Sequence, residues 1–161
     1  DTIDILIETK RELFSQVMRR ADLLVVNDTE SAKLTGETNV IIAGRHLRAH
    51  GCRTVIIKKG EHGALLFHEK QVFFAPALPL EEVFDPTGAG DTFAGGFIGH
   101  IAATRDISFE NMKRAIIYGS AMASFCVEKF GLERVIELNQ TEIDERVQQF
   151  VDLVQFDIEL V

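Results

Sequence analysis

Asp85-Pro-Thr-Gly-Ala-Gly-Asp91-Thr-Phe-Ala-Gly-Gly-Phe97 is the stretch whose reading decides the fold. Pro86 fixes its own φ and biases Asp85 toward an extended conformation. Gly88 and Gly90 permit backbone angles closed to other residues and let a ligand come close to the main chain. From about Ala89 the pattern turns helical, with Phe93, Phe97, Ile98 and Ile101 recurring at three- and four-residue spacing. The small residues Ala94, Gly95, Gly96 and Gly99 would let a neighbouring element pack closely. A tight loop that opens a helix presents unpaired N–H groups at the positive end of the dipole, so Gly88-Ala89-Gly90 is a candidate anion site. Asp91, in the first turn, has two readings. It interacts with the dipole or caps the helix, or it accepts the proton of a hydroxyl that attacks a phosphoryl group.

Upstream, Asp22-Leu-Leu-Val-Val-Asn27 reads as a short buried strand. Asp28 to Gly36 follows as a helix closed by glycine, with Asn27 or Asp28 as N-cap. The spacing of Asn27 and Glu30 fits a capping arrangement; equally, an amide and a carboxylate leaving the C-terminal edge of a sheet lie where open α/β folds bind ligands. Asn39 to His50 is an amphipathic helix with Ile42, Ala43, Leu47 and Ala49 inward, and His46 and His50 read as surface residues. Thr54-Val-Ile-Ile57 is a β-branched buried strand. It feeds Lys58-Lys-Gly-Glu-His-Gly63, after which Ala64–Phe67 and Gln71–Phe74 form a hairpin around Glu69-Lys70. The Lys58–Gly63 loop is either a glycine turn with solvated lysines, or a loop in which Lys58 or Lys59 and the Gly60 amide touch nucleotide phosphates. It is not a Walker A loop, because Gly-x4-Gly-Lys-Ser/Thr is absent.

At the N-terminus, Thr2 to Arg20 reads as helical, with Leu13, Phe14, Val17 and Met18 on one side. Downstream, Ala75 to Phe84 is extended and contains Pro76 and Pro79, and Thr104–Ser108 is a loop. Phe109 to Glu128 is a long helix with a stripe of Met112, Ala115, Ile116, Gly119, Ala123 and Val127. Thr141–Val154 is a surface helix begun by a capping box of Thr141 and Asp144.

The composition of 161 residues, 46% hydrophobic and 26% charged, is that of one ordinary globular domain with a sizeable core. A net charge of −8 argues against a nucleic-acid surface and a basic membrane patch, but not against a local anion site. Cys52 and Cys126 make neither a metal-ligand pair nor a disulfide framework, and read as buried free thiols of a reducing cytosol. There is no signal peptide and no apolar run long enough to cross a membrane.

Asp85-Pro-Thr-Gly-Ala-Gly-Asp91-Thr-Phe resembles the C-terminal signature of the ribokinase-like (PfkB) carbohydrate kinases, Asp-Thr-x-Gly-Ala-Gly-Asp, with Pro86 where Thr is usual. Asn27-Asp-Thr-Glu30 is similar to that family's Asn-x-x-Glu motif, and Lys58–Gly63 to its Thr-x-Gly-x-x-Gly loop, with Lys58 in place of Thr. These motifs occur in the family's order across roughly residues 20 to 135. The resemblance implies an α/β fold, a ribokinase-like layered α/β/α sheet. Residues 1–161 would be a single domain, the C-terminal nucleotide-binding and catalytic part, without the N-terminal half and lid that carry the sugar pocket and often a homodimer contact. The chain begins at Asp1 without an initiator Met, as a processed, trimmed or fragmentary product would.

For function, the resemblance implies ATP-dependent phosphoryl transfer to a carbohydrate hydroxyl. Asp91 would be the base, and Gly88, Ala89 and Gly90 the anion hole. Asn27, Lys58, Lys59, Gly60, Glu61 and Gly63 would meet the nucleotide, and Ser120, at the place of a family Asn, would make a ribose or adenine contact. Asn27 and Glu30 would place Mg²⁺, Glu30 through metal-bound water. Asp85 and Thr87, with the Phe130-Gly131 turn, would hold a monovalent cation such as K⁺. Three other readings stay open: a nucleoside or hydroxymethylpyrimidine-type alcohol as acceptor, a nucleotide-binding module without catalysis, and a structural domain whose glycines serve only packing.

Overall fold

The computed structural model describes residues 4–155 and 157. Two compact units are distinguished, Asp1–Ala77 and Leu78–Val161. The first is built on a sheet and the second on three helices.

The sheet unit opens with α1 (Asp4–Thr9) and α2 (Arg11–Met18). One continuous helix was expected here, and Thr2 and Ile3 lie outside the described residues. The break falls at Lys10, just after the Thr9 hydroxyl bonds back to the Ile5 carbonyl, a contact that bends helices. Of the expected apolar stripe only Met18 is buried and Phe14 partly so, while Leu13 and Val17 are exposed.

Then come β1 (Leu23–Asn27), α3 (Asp28–Thr35), α4 (Val40–Ala49), β2 (Thr54–Lys58), β3 (Ala64–His68) and β4 (Gln71–Ala75). The strands lie in the order β1-β2-β3-β4, with β1 parallel to β2 and the other neighbours antiparallel. Parallel neighbours need a crossover, which α3 and α4 supply. Leu24 and Val26, Val55 and Ile57, and Leu65 and Phe67 share one face by the two-residue period and make a core with Met18, Ala43, Leu47 and Cys52. Val25, Ile56 and Leu66 on the other face are buried as well, which is why these strands read as continuous apolar runs.

Glycine sets how closely α4 lies on this sheet: a Cβ on Gly44 would come within 2.5 Å of the Phe67 ring. That seat turns Ala43, Gly44 and Leu47 inward and leaves Ile42 and Ala49, both expected inside, exposed. Gly36, left-handed at φ +78°, ends α3 with its N–H on Ala32 O at 2.7 Å.

The helical unit contains α5 (Ala89–Thr104), α6 (Phe109–Cys126) and α7 (Gln140–Val154). In α5 and α6 the small residues bring two helices together. A Cβ on Gly96 would lie 3.0 Å from the Gly119 Cα, and one on Gly119 would lie 2.7 Å from the Phe93 carbonyl oxygen. Phe93 and Phe97 are buried, whereas Ile98, placed on the same face by the sequence period, is exposed. Buried Asn111 locks the α5–α6 loop: its amide donates to Thr104 Oγ1 and Asp106 O, both at 2.7 Å, and its Oδ1 lies 3.1 Å from His100 Nε2. The helix expected to run on to Glu128 ends at Cys126.

The capping box of α7 is also displaced from the expected Thr141 and Asp144. Asn139 is the N-cap, accepting Glu142 N–H at 3.1 Å, and the Glu142 carboxylate accepts Asn139 N–H at 3.2 Å. Arg134 holds that same carboxylate at 2.6 Å, so a partner from outside α7 favours this register. Cys52 and Cys126 are both buried free thiols.

Candidate functional site

The signature folds as loop and helix start. Thr87 N–H donates to Asp85 Oδ1 at 2.9 Å, an Asx-type turn that reverses the chain after Pro86. Gly88 then takes φ +82°, a left-handed angle that favours glycine, and serves as the N-cap of α5. The first ladder bond of α5 runs from Thr92 N–H to Gly88 O at 2.9 Å. The Gly90 and Asp91 amides therefore precede the ladder. The Ala89 amide differs from expectation: its N–H donates to Pro86 O at 3.2 Å. Asp91 stands exposed in this first turn, where the dipole favours a carboxylate.

The loop is tied to the end of α6. Phe84 and Asp85 N–H groups both donate to Val127 O, at 2.8 and 3.3 Å. The Cys126 thiol lies 3.7 Å from Thr87 O and 3.8 Å from Gly131 O, so two carbonyls converge on it. Hydrogen bonds from the Thr87 amide and hydroxyl, and from the Gly131 amide, hold the Asp85 carboxyl below its usual range. Asp85, Thr87 and Gly131 thus form one cluster of oxygens and amides beside Gly88. Ser120 is half-buried on α6, next to the Gly119 seat.

In the sheet unit, Asn27 and Lys58 end parallel neighbours and are register partners, so both leave the same sheet edge. Asn27 and Glu30 form the full capping box of α3. Asn27 Oδ1 accepts Glu30 N–H and Glu30 Oε2 accepts Asn27 N–H, each at 2.7 Å. The capping reading is therefore met, and it buries the Glu30 carboxylate to 6% exposure. Lys58 is half-buried at the strand end, with Lys59 following. Gly60–His62 makes one 3₁₀ turn closed by Lys59 N–H to Gly63 O at 2.8 Å. Gly63 has φ +86°, and a Cβ there would fall 2.1 Å from Ala75 O, so the hairpin requires glycine. Lys59, Glu61, His62, Phe74, Pro76 and Ala77 line an open cleft of about 440 Å³.

The sequence reading named Lys59 and Glu61 but passed over His62, Phe74 and Pro76. Phe74 belongs to the apolar run Val-Phe-Phe, which reads as core, yet it is exposed on the last strand of the sheet. Cys126, a buried free thiol as the sequence suggests, is placed between two carbonyls by the fold. Among the described residues no three His, Cys, Asp or Glu side chains converge as a metal cage, and no helix is long and apolar enough to cross a membrane.

The chain belongs to the pfkB family of carbohydrate kinases, which it matches over residues 2–138. It is 37% identical over 100 residues to the cytidine kinase of Thermococcus kodakarensis, an overlap of 61% of this chain and 36% of that protein. Among solved structures it is similar to the aminoimidazole riboside kinase of Salmonella enterica complexed with aminoimidazole riboside and an ATP analogue. That match has a TM-score of 0.75 and 28% identity over 84% of this chain and 45% of the other. A candidate ribokinase II from E. coli in complex with ATP and Mg²⁺ matches with a TM-score of 0.75 and 26% identity, over 92% of this chain and 47% of the other. The fold is ribokinase-like, and the chain spans less than half the length of each of these relatives.

Proposed function

We propose that this chain is the nucleotide-binding and catalytic part of a kinase that transfers the γ-phosphoryl of ATP to a hydroxyl of a pentose, either free or carried by a nucleoside. The observation that carries the reading is the start of α5: exposed Asp91 in the same turn as the pre-ladder Gly90 and Asp91 amides, behind left-handed Gly88. Family membership supports phosphoryl transfer. The cytidine and aminoimidazole riboside relatives support an acceptor that carries a pentose.

Asp91 is the general base. As the acceptor oxygen forms its bond to the γ-phosphorus, its proton passes to the Asp91 carboxylate, the bond from that phosphorus to the β,γ-bridging oxygen breaks, and ADP leaves. Phosphoryl transfer asks the protein mainly for position and charge stabilisation. The Gly90 and Asp91 amides donate to the phosphoryl oxygens at the positive end of α5. The Ala89 amide, turned to Pro86, joins them only by giving up its 3.2 Å bond.

Asn27, Lys58 and the Lys59–Gly63 turn of the sheet unit are the nucleotide contacts that the family motifs assign. Mg²⁺ keeps several waters and needs one or two carboxylates plus phosphates, so Glu30 would hold it through water, beside Asn27. When bound, Mg²⁺ neutralises charge on the ATP phosphates. The Asp85 carboxylate with the Thr87 and Gly131 carbonyls supplies the hard oxygen donors that a monovalent cation takes.

The test is Asp91→Asn in the full-length protein. It lowers kcat by roughly 10²- to 10⁴-fold, the usual worth of a general base. Binding of a non-hydrolysable ATP analogue, followed by calorimetry, persists. Full activity in that variant would remove Asp91 from the role.

A further inference from the structure

Two arginines on separate elements grip one carboxylate at the end of α6. Arg134 Nε donates to Glu128 Oε2 at 3.1 Å, and Arg146 Nη2 donates to Glu128 Oε1 at 2.6 Å. Arg146 Nη1 also reaches the buried Ser124 hydroxyl at 2.8 Å, and Arg134 Nη2 reaches the Glu142 carboxylate that caps α7. Both guanidinium groups lie against the Phe125 ring, with their central carbons 3.9 Å (Arg146) and 5.0 Å (Arg134) from its centroid. The arginine side chains are only 14% and 19% exposed, so solvent screens these pairs little. Two Arg against two Glu leave the cluster neutral. By contrast, Lys129 and Glu137 form an exposed pair of the kind that contributes little.

The cluster and the signature loop hold opposite sides of one short segment. Phe125 faces the arginines, while Cys126, the next residue, faces Thr87 O and Gly131 O. Val127 O accepts the Phe84 and Asp85 amides, Glu128 takes both arginines, and the Gly131 amide bonds the Asp85 carboxylate. Beyond Cys126 the helix gives way to turns, in which Val127 N–H donates to Ala123 O at 3.4 Å and Glu128 N–H to Phe125 O at 3.1 Å. Side chains from outside add to these bonds.

We infer that Arg146, with Arg134 and Glu128, is a positioning residue: it fixes the Val127–Gly131 segment and through it the Asp85–Asp91 loop. The cluster touches no reacting group in the proposed mechanism. It sets where Asp85 and Thr87 stand, and hence the angle at which the Gly90 and Asp91 amides meet a phosphoryl group. Rigid support of this kind matters because a 1 Å displacement of a reacting constellation can cost on the order of 10²-fold in rate. The consequence for catalysis rests on the kinase reading; the mechanical coupling does not.

The experiment uses the full-length protein with Arg146→Met, which keeps an apolar stem on Phe125 but removes the fork, and with Lys129→Met, which removes the exposed pair with Glu137 next to Glu128, as the control. Hydrogen exchange by mass spectrometry reads the peptide covering 84–92 against the strand peptide 54–58 in the same molecule. Arg146→Met speeds exchange at 84–92 by about fivefold or more and leaves 54–58 unchanged, and Lys129→Met changes neither. Steady-state kinetics then shows kcat per folded molecule down about tenfold, with KM for ATP within about twofold. Unchanged exchange at 84–92 in Arg146→Met overturns the inference, whatever the activity. Altered exchange with unaltered kcat overturns the catalytic consequence. An inactive wild type that still shows the exchange difference overturns the kinase reading and leaves the coupling standing. If Arg146→Met does not fold, Glu128→Gln takes its place, keeping the shape of the side chain and weakening both arginine contacts.

Discussion

Two glycines in the helical unit should respond to the same substitution with opposite signs. Gly119, inside α6, faces the backbone of α5: an added methyl would lie 2.7 Å from Phe93 O and 3.3 Å from the Phe93 ring. The nearest atom is a carbonyl oxygen held in the α5 ladder, so relief requires shifting a helix, and overpacking of that kind costs about 2 to 3 kcal/mol. Replacing a mid-helix glycine by alanine returns about 1 kcal/mol of helix propensity. Gly119→Ala is therefore expected to destabilise by about 1 to 2 kcal/mol, a five- to thirtyfold fall in the folded-to-unfolded ratio. Gly99, inside α5, has no heavy atom within 4 Å of its built Cβ, so Gly99→Ala keeps only the propensity gain and stabilises by up to about 1 kcal/mol. The assay is urea unfolding followed by tyrosine emission. The chain has no Trp and a single Tyr, and Tyr118 sits on α6 stacked on His100 at 4.4 Å, so the signal belongs to this unit. With a slope of about 1 to 2 kcal/mol/M, the Gly119→Ala midpoint falls by about 1 M at unchanged slope. A neutral or stabilising Gly119→Ala, or a destabilising Gly99→Ala, would refute the packing argument.

Gly63→Ala should be more severe, by about 3 kcal/mol or more, because a clash at 2.1 Å with Ala75 O adds to a left-handed φ; amide exchange across β3 and β4 would report the opened hairpin, and protection equal to wild type would count against it. His68 gives the sheet unit a pH dependence. Burial lowers its pKa below 6.5, with Arg48 and Arg53 adding to the shift and Glu69 opposing it, and its Nδ1 pairs with the buried Thr54 hydroxyl at 2.8 Å. Between the lowered folded value and 6.5 the unfolded chain binds more protons, so stability is complete above pH 6.5 and falls as pH drops through that window. His68→Gln should flatten this part of the profile in urea midpoints taken from pH 7 to 5; an unchanged slope would show that His68 does not carry it.

Much of the fold was legible because periodicity and turn chemistry are local. The apolar runs in Asp22–Asn27 and Thr54–Ile57, the glycine closing α3, and the Glu69-Lys70 hairpin all depend on neighbours in sequence, and all formed. So did Gly88 as the break before α5, because only a residue free of a Cβ takes that angle cheaply. The misplaced details share one cause. Ile98 lies on the predicted apolar face of α5, yet α6 approaches at the glycines, which turns Phe93 and Phe97 inward and leaves Ile98 out. The α7 cap fell on Asn139 because Arg134, from another element, holds Glu142.

By itself the sequence determined the class of protein: a glycine break, a helix start and a carboxylate in its first turn, within motifs whose order marks the pfkB family. Those features sit within a few residues of one another, so the chain must carry them in its letters. What only the tertiary structure decided is what stands behind them. Val127 O under Phe84 and Asp85 and the Cys126 thiol beside Thr87 join positions some forty residues away to the signature loop, and arginines from beyond α6 hold Glu128 next to them. No local propensity encodes such contacts; they exist because α5 and α6 close on each other where glycine leaves room.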